Sequence, residues 1–207
     1  IAAVTGGKTG DYQFFWQDSS ALNSWPDLTI STTASFNLPP PLTDSTWYRR
    51  IVKSDKCADT SNIIVVNVHK PITGNIIAAD TTICSGQVPS SLRGAAATGG
   101  DNIMSYQWYS SADNFVTAPV SVAPAQNGDQ EDMTPVSIAT DTWYRRRVTS
   151  GACTTVSNVI KVTVLTPISN NSISALSPAV CYGLVPGQIT GSVPLNGNGT
   201  FTYQWQD

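Results

Sequence analysis

The chain contains 207 residues, of which 12% are charged and 41% are hydrophobic. A net charge of −3 argues against a nucleic-acid partner, because no basic surface is available to neutralise phosphates. No apolar run approaches the roughly 20 residues that a helix needs to cross a bilayer, so direct membrane insertion is not expected either.

The chain repeats itself. Residues 44–62 (DSTWYRRIVKSDKCADTSN) recur 96 positions later as residues 140–158 (TDTWYRRRVTSGACTTVSN). A second motif, ICSGQVPSSLRG at residues 83–94, recurs as VCYGLVPGQITG at residues 180–191. A period of about 96 residues is too long for a solenoid repeat and suits a small independent domain.

The repeat predicts three domains along the chain. We expect a partial domain over residues 1–69, a complete one over residues 70–166 and another partial one over residues 167–207. Proline follows the last strand of each of the first two repeats, at Pro71 and Pro167. Such short connections predict a semi-rigid string of domains.

The complete repeat contains seven segments with the alternation or the β-branched content of strands. In chain order these segments are residues 82–89, 91–97, 103–110, 115–122, 132–136, 142–149 and 156–165. Seven strands predict an all-β fold made of tandem immunoglobulin-like β-sandwich domains, with about 96 residues per repeat. The YQW motif lies in the third strand, where such a sandwich buries a tryptophan.

The sixth predicted strand carries three consecutive arginines. Alternation places Trp143, Arg145 and Arg147 on one face and Arg146 on the other. Ile51 stands at the position of Arg147 in the first copy, so the tryptophan face accepts an apolar or a charged side chain at this position. This face is therefore predicted to be the outer one. A site for acidic glycans on the two outer arginines is one hypothesis for this strand.

The inner arginines are predicted to be structural. Arg50 and Arg146 would point inward or toward the sheet edge, where a buried guanidinium needs partners. Stacking on the neighbouring tryptophan, Trp16 or Trp108, with an oxygen at the guanidinium tip, would supply them.

Four cysteines leave two pairings open. The first and last strands of this sandwich commonly pair in parallel, which favours a disulfide between Cys84 and Cys153 within the complete repeat. Cys57 and Cys181 would then pair outside residues 1–207. The alternative joins Cys57 to Cys84 and Cys153 to Cys181, across adjacent repeats.

Other candidate sites are weaker. No catalytic constellation is visible, so neither an enzyme nor a cofactor is expected, and His69 is interpreted as a solvated linker residue. The acidic loop NGDQED at residues 127–132 could bind calcium, but a solvated loop is the preferred interpretation. Trp25, Tyr109 and Phe115 could bind glycan and are interpreted as packing residues, although this variable region is where a ligand surface would be sought.

The motifs TTICSGQVPSSL, SYQWYSSADN and DTWYRRRVTSGACTTVSNVIKVTV, in this order, resemble the tandem immunoglobulin-like repeats of very large Bacteroidota cell-surface proteins. These include the gliding-motility adhesins of the SprB type. The first copy departs from the pattern, with FFWQD in place of YQWQ. The resemblance implies type IX secretion, an extracellular location associated with the outer membrane, and a structural or adhesive stalk. The residue patterns themselves predict no metal and no other cofactor.

The resemblance also implies partners and modifications. The partners would be neighbouring repeats, extracellular polysaccharide or surface glycans, and outer-membrane secretion and motility machinery contacted through other regions of the protein. Ser45 and Thr81 follow aspartate in the pattern at which proteins of these bacteria are O-glycosylated. The alternative function is a set of accessory or glycan-binding modules in a secreted polysaccharide-degrading enzyme.

Overall fold

The computed structural model describes residues 4–8, 10–20, 24–25, 30–38, 41–78 and 80–206. Strands account for 39% of the chain, which confirms the predicted all-β fold class. Among the described residues, no helix is long and apolar enough to cross a membrane. The chain forms two compact units, Ile1–Pro71 and Ile72–Asp207, which are described separately.

The first unit is a four-stranded antiparallel sheet centred on one long strand. This strand, β2 (Thr46–Ser54), pairs with β1 (Gln13–Ser19) on one side and with β3 (Cys57–Thr60) and β4 (Ile64–Val66) on the other. The register places Trp16 opposite Arg50.

The strands that follow β4, of which β5 begins just before the second unit, are β5 (Lys70–Thr73), β6 (Thr81–Cys84), β7 (Thr98–Gly100), β8 (Ser105–Ser111), β9 (Val120–Ser121), β10 (Thr142–Ser150), β11 (Cys153–Val156), β12 (Ile160–Leu165), β13 (Ile173–Ala175) and β14 (Ile189–Gly191). The second unit is built on a six-stranded sheet with the order β6, β12, β10, β8 and β9, in which β11 also pairs with β10. The β6 strand joins β12 in parallel, and the other pairs are antiparallel. Two further strand pairs, β5 with β7 and β13 with β14, form small sheets.

The core lies on the inner face of the six-stranded sheet. Strand alternation sends every second side chain of β10 to this face, because successive residues point to opposite sides. Trp108 of β8 is fully buried there, and its indole nitrogen donates to the carbonyl of Gln130 at 3.0 Å. The buried core residues are Ile77, Leu92, Trp108, Val122, Met133, Tyr144, Ile160 and Val162. Ile77, Leu92 and Met133 lie outside the six-stranded sheet and pack against it in this core, which is consistent with a β-sandwich.

Several predicted strands are shorter than expected. Residues 91–97 and 132–136 form only isolated bridges, such as the one between Leu92 and Met133. Residues 156–165 are interrupted because Ser157 and Asn158 use their side chains for other bonds: the Ser157 hydroxyl accepts from the backbone of β10, and Asn158 contacts the backbone of Ile77. Polar side chains that bind backbone compete with the strand ladder.

Candidate functional site

Arg146 is a buried charge at the centre of the second unit. Its side chain is fully inaccessible to solvent, and each guanidinium nitrogen has an acceptor. Nε donates to Oδ1 of Asn75 at 3.0 Å, Nη1 to the carbonyl of Glu131 at 2.8 Å, and Nη2 to the carbonyl of Ala95 at 2.7 Å. The three acceptors come from three separate segments, so one arginine joins parts of the chain that are distant in sequence.

Aromatic rings complete the surroundings of this guanidinium. Its central carbon lies 5.0 Å from the ring centroid of Tyr106 and 5.8 Å from that of Trp108, distances at which cation–π attraction is effective. Burial lowers the pKa of Arg146, while Tyr106 and the acidic side chains of Glu131 and Asp132 act in the opposite direction. An arginine remains protonated under such conditions, so a buried positive charge is held here by three hydrogen bonds. The structural role of Arg146 stays a prediction.

Arg50 occupies the same inner position in the first unit. Its guanidinium lies over the rings of Phe14 and Trp16, at 5.2 and 5.6 Å, and Nη1 donates to the carbonyl of Ala34 at 2.8 Å. Its buried Nε has no hydrogen-bond partner among the described residues. A cavity of about 360 Å³ lies beside Arg50, with Tyr12 and Ser61 among its lining residues.

The outer face of the second unit carries cations stacked on aromatic rings. The guanidinium of Arg145 lies 4.0 Å from the ring centroid of Phe115, and that of Arg147 lies 5.3 Å from Tyr109. On the neighbouring strand, Nζ of Lys161 lies 5.1 Å from the ring of Trp143. We call these six residues the outer cation face.

The first unit has the same kind of arrangement. Arg49, which is 96 positions before Arg145, lies 4.3 Å from the ring centroid of Trp25. Lys53 lies 5.0 Å from Phe15. The sequence pattern marked Trp25 and Phe115 as aromatics that could bind glycan, with packing as the preferred interpretation, and did not pair them with the arginines. The matching offset of the two arginines was the available signal.

A hydrogen-bonded loop holds Phe115 in place. Asp113 accepts from the Ser111 hydroxyl at 2.6 Å, and from the Thr117 hydroxyl and amide at 2.6 and 3.0 Å. The Ser111 hydroxyl oxygen in turn accepts from the amide of Phe115 at 2.8 Å. Asn114 and Phe115 adopt φ values of 56° and 63°, a left-handed conformation that asparagine tolerates but that is unfavourable for phenylalanine. The loop therefore presents its aromatic ring at a local backbone cost.

We expect Asp113→Asn to loosen this loop without unfolding the domain. The hydrogen bonds from Ser111 and Thr117 hold the pKa of Asp113 below its ordinary value, so the carboxylate form is the one that the folded loop binds. Amide exchange at Phe115 and Thr117, corrected for intrinsic rates, should be about tenfold faster in the variant. Unchanged protection at both amides would contradict this role.

The same carboxylate predicts a pH dependence of the loop. Because the folded-state pKa is lowered, the stabilisation is complete above the ordinary aspartate pKa of about 4 and is lost as the pH falls through the lowered value. The wild-type loop should lose protection in acid, whereas the Asp113→Asn loop should show the same low protection throughout.

In the acidic loop at residues 127–132, the carboxylates of Glu131 and Asp132 bind different partners. Glu131 accepts from the Tyr106 hydroxyl at 3.3 Å, and Asp132 accepts from the amide of Gly94 at 2.9 Å and pairs with Arg93 at 3.7 Å. Within the described ranges, no three His, Cys, Asp or Glu side chains are grouped so as to hold a metal ion.

The strand register does not bring Cys84 and Cys153 together. Cys84 lies opposite Leu165 at the end of β12, whereas Cys153 lies opposite Ser150, beyond the start of β12. More than ten residues of strand separate these positions, roughly 35 Å at 3.3 Å per residue, and a disulfide joins Cα atoms about 4.4–6.8 Å apart. The prediction failed to recognise that Cys84 closes the first strand. The alternative pairing across repeats stays a prediction.

The remaining candidates lie outside β2 and β10, the strands that carry the arginines. Ser45 is half-buried, and its hydroxyl accepts from the amide of Val68 at 3.0 Å. Thr81 is exposed and begins β6. His69 is half-buried between β4 and β5. O-glycosylation of Ser45 and Thr81 therefore stays a prediction, and the exposure of Thr81 makes it the more accessible of the two.

One protein family matches most of the chain. A family model described as a domain of unknown function, DUF8696, matches residues 2–70 and residues 73–166. The curated proteins contain no match to the chain.

Proposed function

Because the chain belongs to the DUF8696 family, we propose that it is a structural and adhesive segment of a tandem array of immunoglobulin-like domains in a large bacterial cell-surface adhesin. The observation that carries the proposal is the repeated inner arginine, since Arg50 and Arg146 lie opposite Trp16 and Trp108 in the same strand register. A recurring interior with differing loops suits repeated scaffold modules better than a catalyst, whose reacting groups need one precise constellation.

The finer assignments follow from the sequence resemblance. We propose secretion through the type IX route, exposure at the outer surface of the cell, and a part in gliding motility or attachment. The mechanism would be mechanical: successive domains project an adhesive region from the cell, and each domain resists unfolding through its sheet and its inner arginine. Neighbouring repeats are the closest partners in such an array.

Antibodies raised against the 207-residue chain test this proposal. They should label intact, unpermeabilised cells of the source bacterium, and their monovalent fragments should reduce attachment of those cells to a surface. Labelling that requires permeabilisation would overturn the surface location. If purified cell-surface material carries the repeats on a chain with polysaccharide-hydrolase activity, accessory modules of an enzyme would replace the stalk.

A further inference from the structure

We propose that the outer cation face of the second unit binds an acidic polysaccharide, with the guanidiniums of Arg145 and Arg147 as the groups that bind its carboxylates. The face is formed by strands β8, β10 and β12 together with the loop that carries Phe115. Its ligand chemistry does not depend on how the array is secreted or displayed, so it can be tested separately from the proposed function.

The first argument is uncompensated charge. The ion pairs among the described residues are those of Arg93 with Asp132 and of Lys161 with Asp141, so Arg145 and Arg147 have no carboxylate partner there. Successive outward residues of a strand are about 7 Å apart, which places two cationic side chains side by side on one surface. An anionic ligand would complement them, and a guanidinium can bind a carboxylate through two parallel hydrogen bonds.

The second argument is the way in which Arg145 is held. Its guanidinium carbon lies over the ring of Phe115, 4.0 Å from the ring centroid. An aromatic ring is not a hydrogen-bond acceptor of carboxylate strength, so this contact leaves the N–H groups of Arg145 able to bind an anion. Phe115 itself is fixed by a loop with two consecutive non-glycine residues at positive φ. Strained backbone of this kind persists where the surrounding structure maintains it, and it is enriched at ligand sites. The arginine is therefore positioned before any ligand arrives.

The third argument selects a polysaccharide. Hydroxyl side chains flank the cations. The hydroxyl oxygens of Thr149 and Thr154 are 3.3 Å apart, and Thr149 is two residues after Arg147 on the same strand. Ser121 lies opposite Tyr109. Hydroxyls and aromatic rings suit a sugar, which offers its own hydroxyls and apolar ring faces. Since a stacked arginine also recurs in the first unit as Arg49 on Trp25, a polymer with many carboxylates could engage more than one site along one chain.

Binding of polygalacturonic acid to the whole 207-residue chain tests the proposal, with dextran as the uncharged polymer. We expect the chain to bind polygalacturonic acid and not dextran. The Arg145→Gln/Arg147→Gln variant should bind about tenfold more weakly or worse, and addition of Arg49→Gln should reduce binding further. Arg93→Gln is the matched control, because Arg93 has an 81% exposed side chain and stands outside this face. Its binding should be unchanged.

Phe115→Ala separates positioning from charge. It keeps both arginines but removes the ring under Arg145, so binding should weaken by several-fold. Equal binding by wild type and the Arg145→Gln/Arg147→Gln variant would overturn the proposal, provided that near-ultraviolet circular dichroism shows the variant folded. Poly-L-glutamate is the test for a peptide ligand. If wild type binds it as tightly as polygalacturonic acid and the Arg145→Gln/Arg147→Gln variant does not bind it, the polysaccharide proposal is overturned in favour of an acidic peptide.

Discussion

Replacing Arg146 with methionine is expected to destabilise the second unit by about 3–5 kcal/mol. Methionine fills part of the same volume, but it leaves Oδ1 of Asn75 and the carbonyls of Ala95 and Glu131 without the charged donor that they share in the native fold. These acceptors surround a fully buried side chain, so the cost of leaving them unpaired is close to its maximum. Global amide exchange of β8 and β10 in increasing urea would measure the loss.

Arg50→Met provides the matched comparison. The first-unit arginine has the same strand position, but among the described residues its guanidinium donates only to the carbonyl of Ala34, and its Nε has no partner there. We therefore expect a loss of about 1 kcal/mol or less in the first unit. Equal losses in the two units would show that the hydrogen bonds of Arg146 add nothing to its stacking on aromatic rings.

The orientation of these arginines could be predicted from sequence alone. The period of two in a strand assigns Trp143, Arg145 and Arg147 to one face, and the replacement of Arg147 by Ile51 identifies that face as the outer one. The structure places Arg146 on the opposite, buried face. Local alternation is sufficient here because each residue's side is decided by its immediate neighbours.

The partners of Arg146 could not be predicted in the same way. Asn75 is 71 positions upstream, and Glu131 contributes its backbone carbonyl while its carboxylate bonds elsewhere. A backbone acceptor has no side-chain signature, so any residue type could have stood at that position. The one available sequence signal concerns Asn75, which recurs 96 positions later as Asn171. This recurrence marks Asn75 as part of the repeat but does not identify it as a partner of Arg146.

The pair of Arg145 with Phe115 escaped prediction because a loop supplies the aromatic member. The stretch containing Phe115 was predicted as part of a strand over residues 115–122, whereas only β9 (Val120–Ser121) forms. Asn114 and Phe115 at positive φ cannot continue a strand, and their conformation depends on the bonds of Asp113 and Ser111. Loop conformation of this kind is decided by side-chain contacts that hydrophobic periodicity does not encode.

Gly94→Ala is expected to destabilise the second unit by about 1–3 kcal/mol, because the residue lies directly against the arginine. A Cβ added at Gly94 would overlap Nη1 and Cζ of Arg146 and would come within 2.7 Å of the carbonyl oxygen of Glu131. The guanidinium cannot move aside without losing its own bonds to Asn75 and Ala95. Gly187→Ala is the control, since its Cβ would meet Leu176 at an ordinary 3.7 Å, and it should change stability by less than about 0.5 kcal/mol.

The decisive measurement is a double-mutant cycle between Gly94→Ala and Arg146→Met. Methionine has no atoms at the guanidinium position and bends readily, so the alanine methyl should cost less in the Arg146→Met background than in wild type. A coupling of at least about 1 kcal/mol is expected, which lies within the range for residues in contact. Additive losses would mean that Gly94 is required by the Glu131 backbone alone. A measured coupling would mean that the absence of a side chain at Gly94 is what makes room for a buried charge in this repeat.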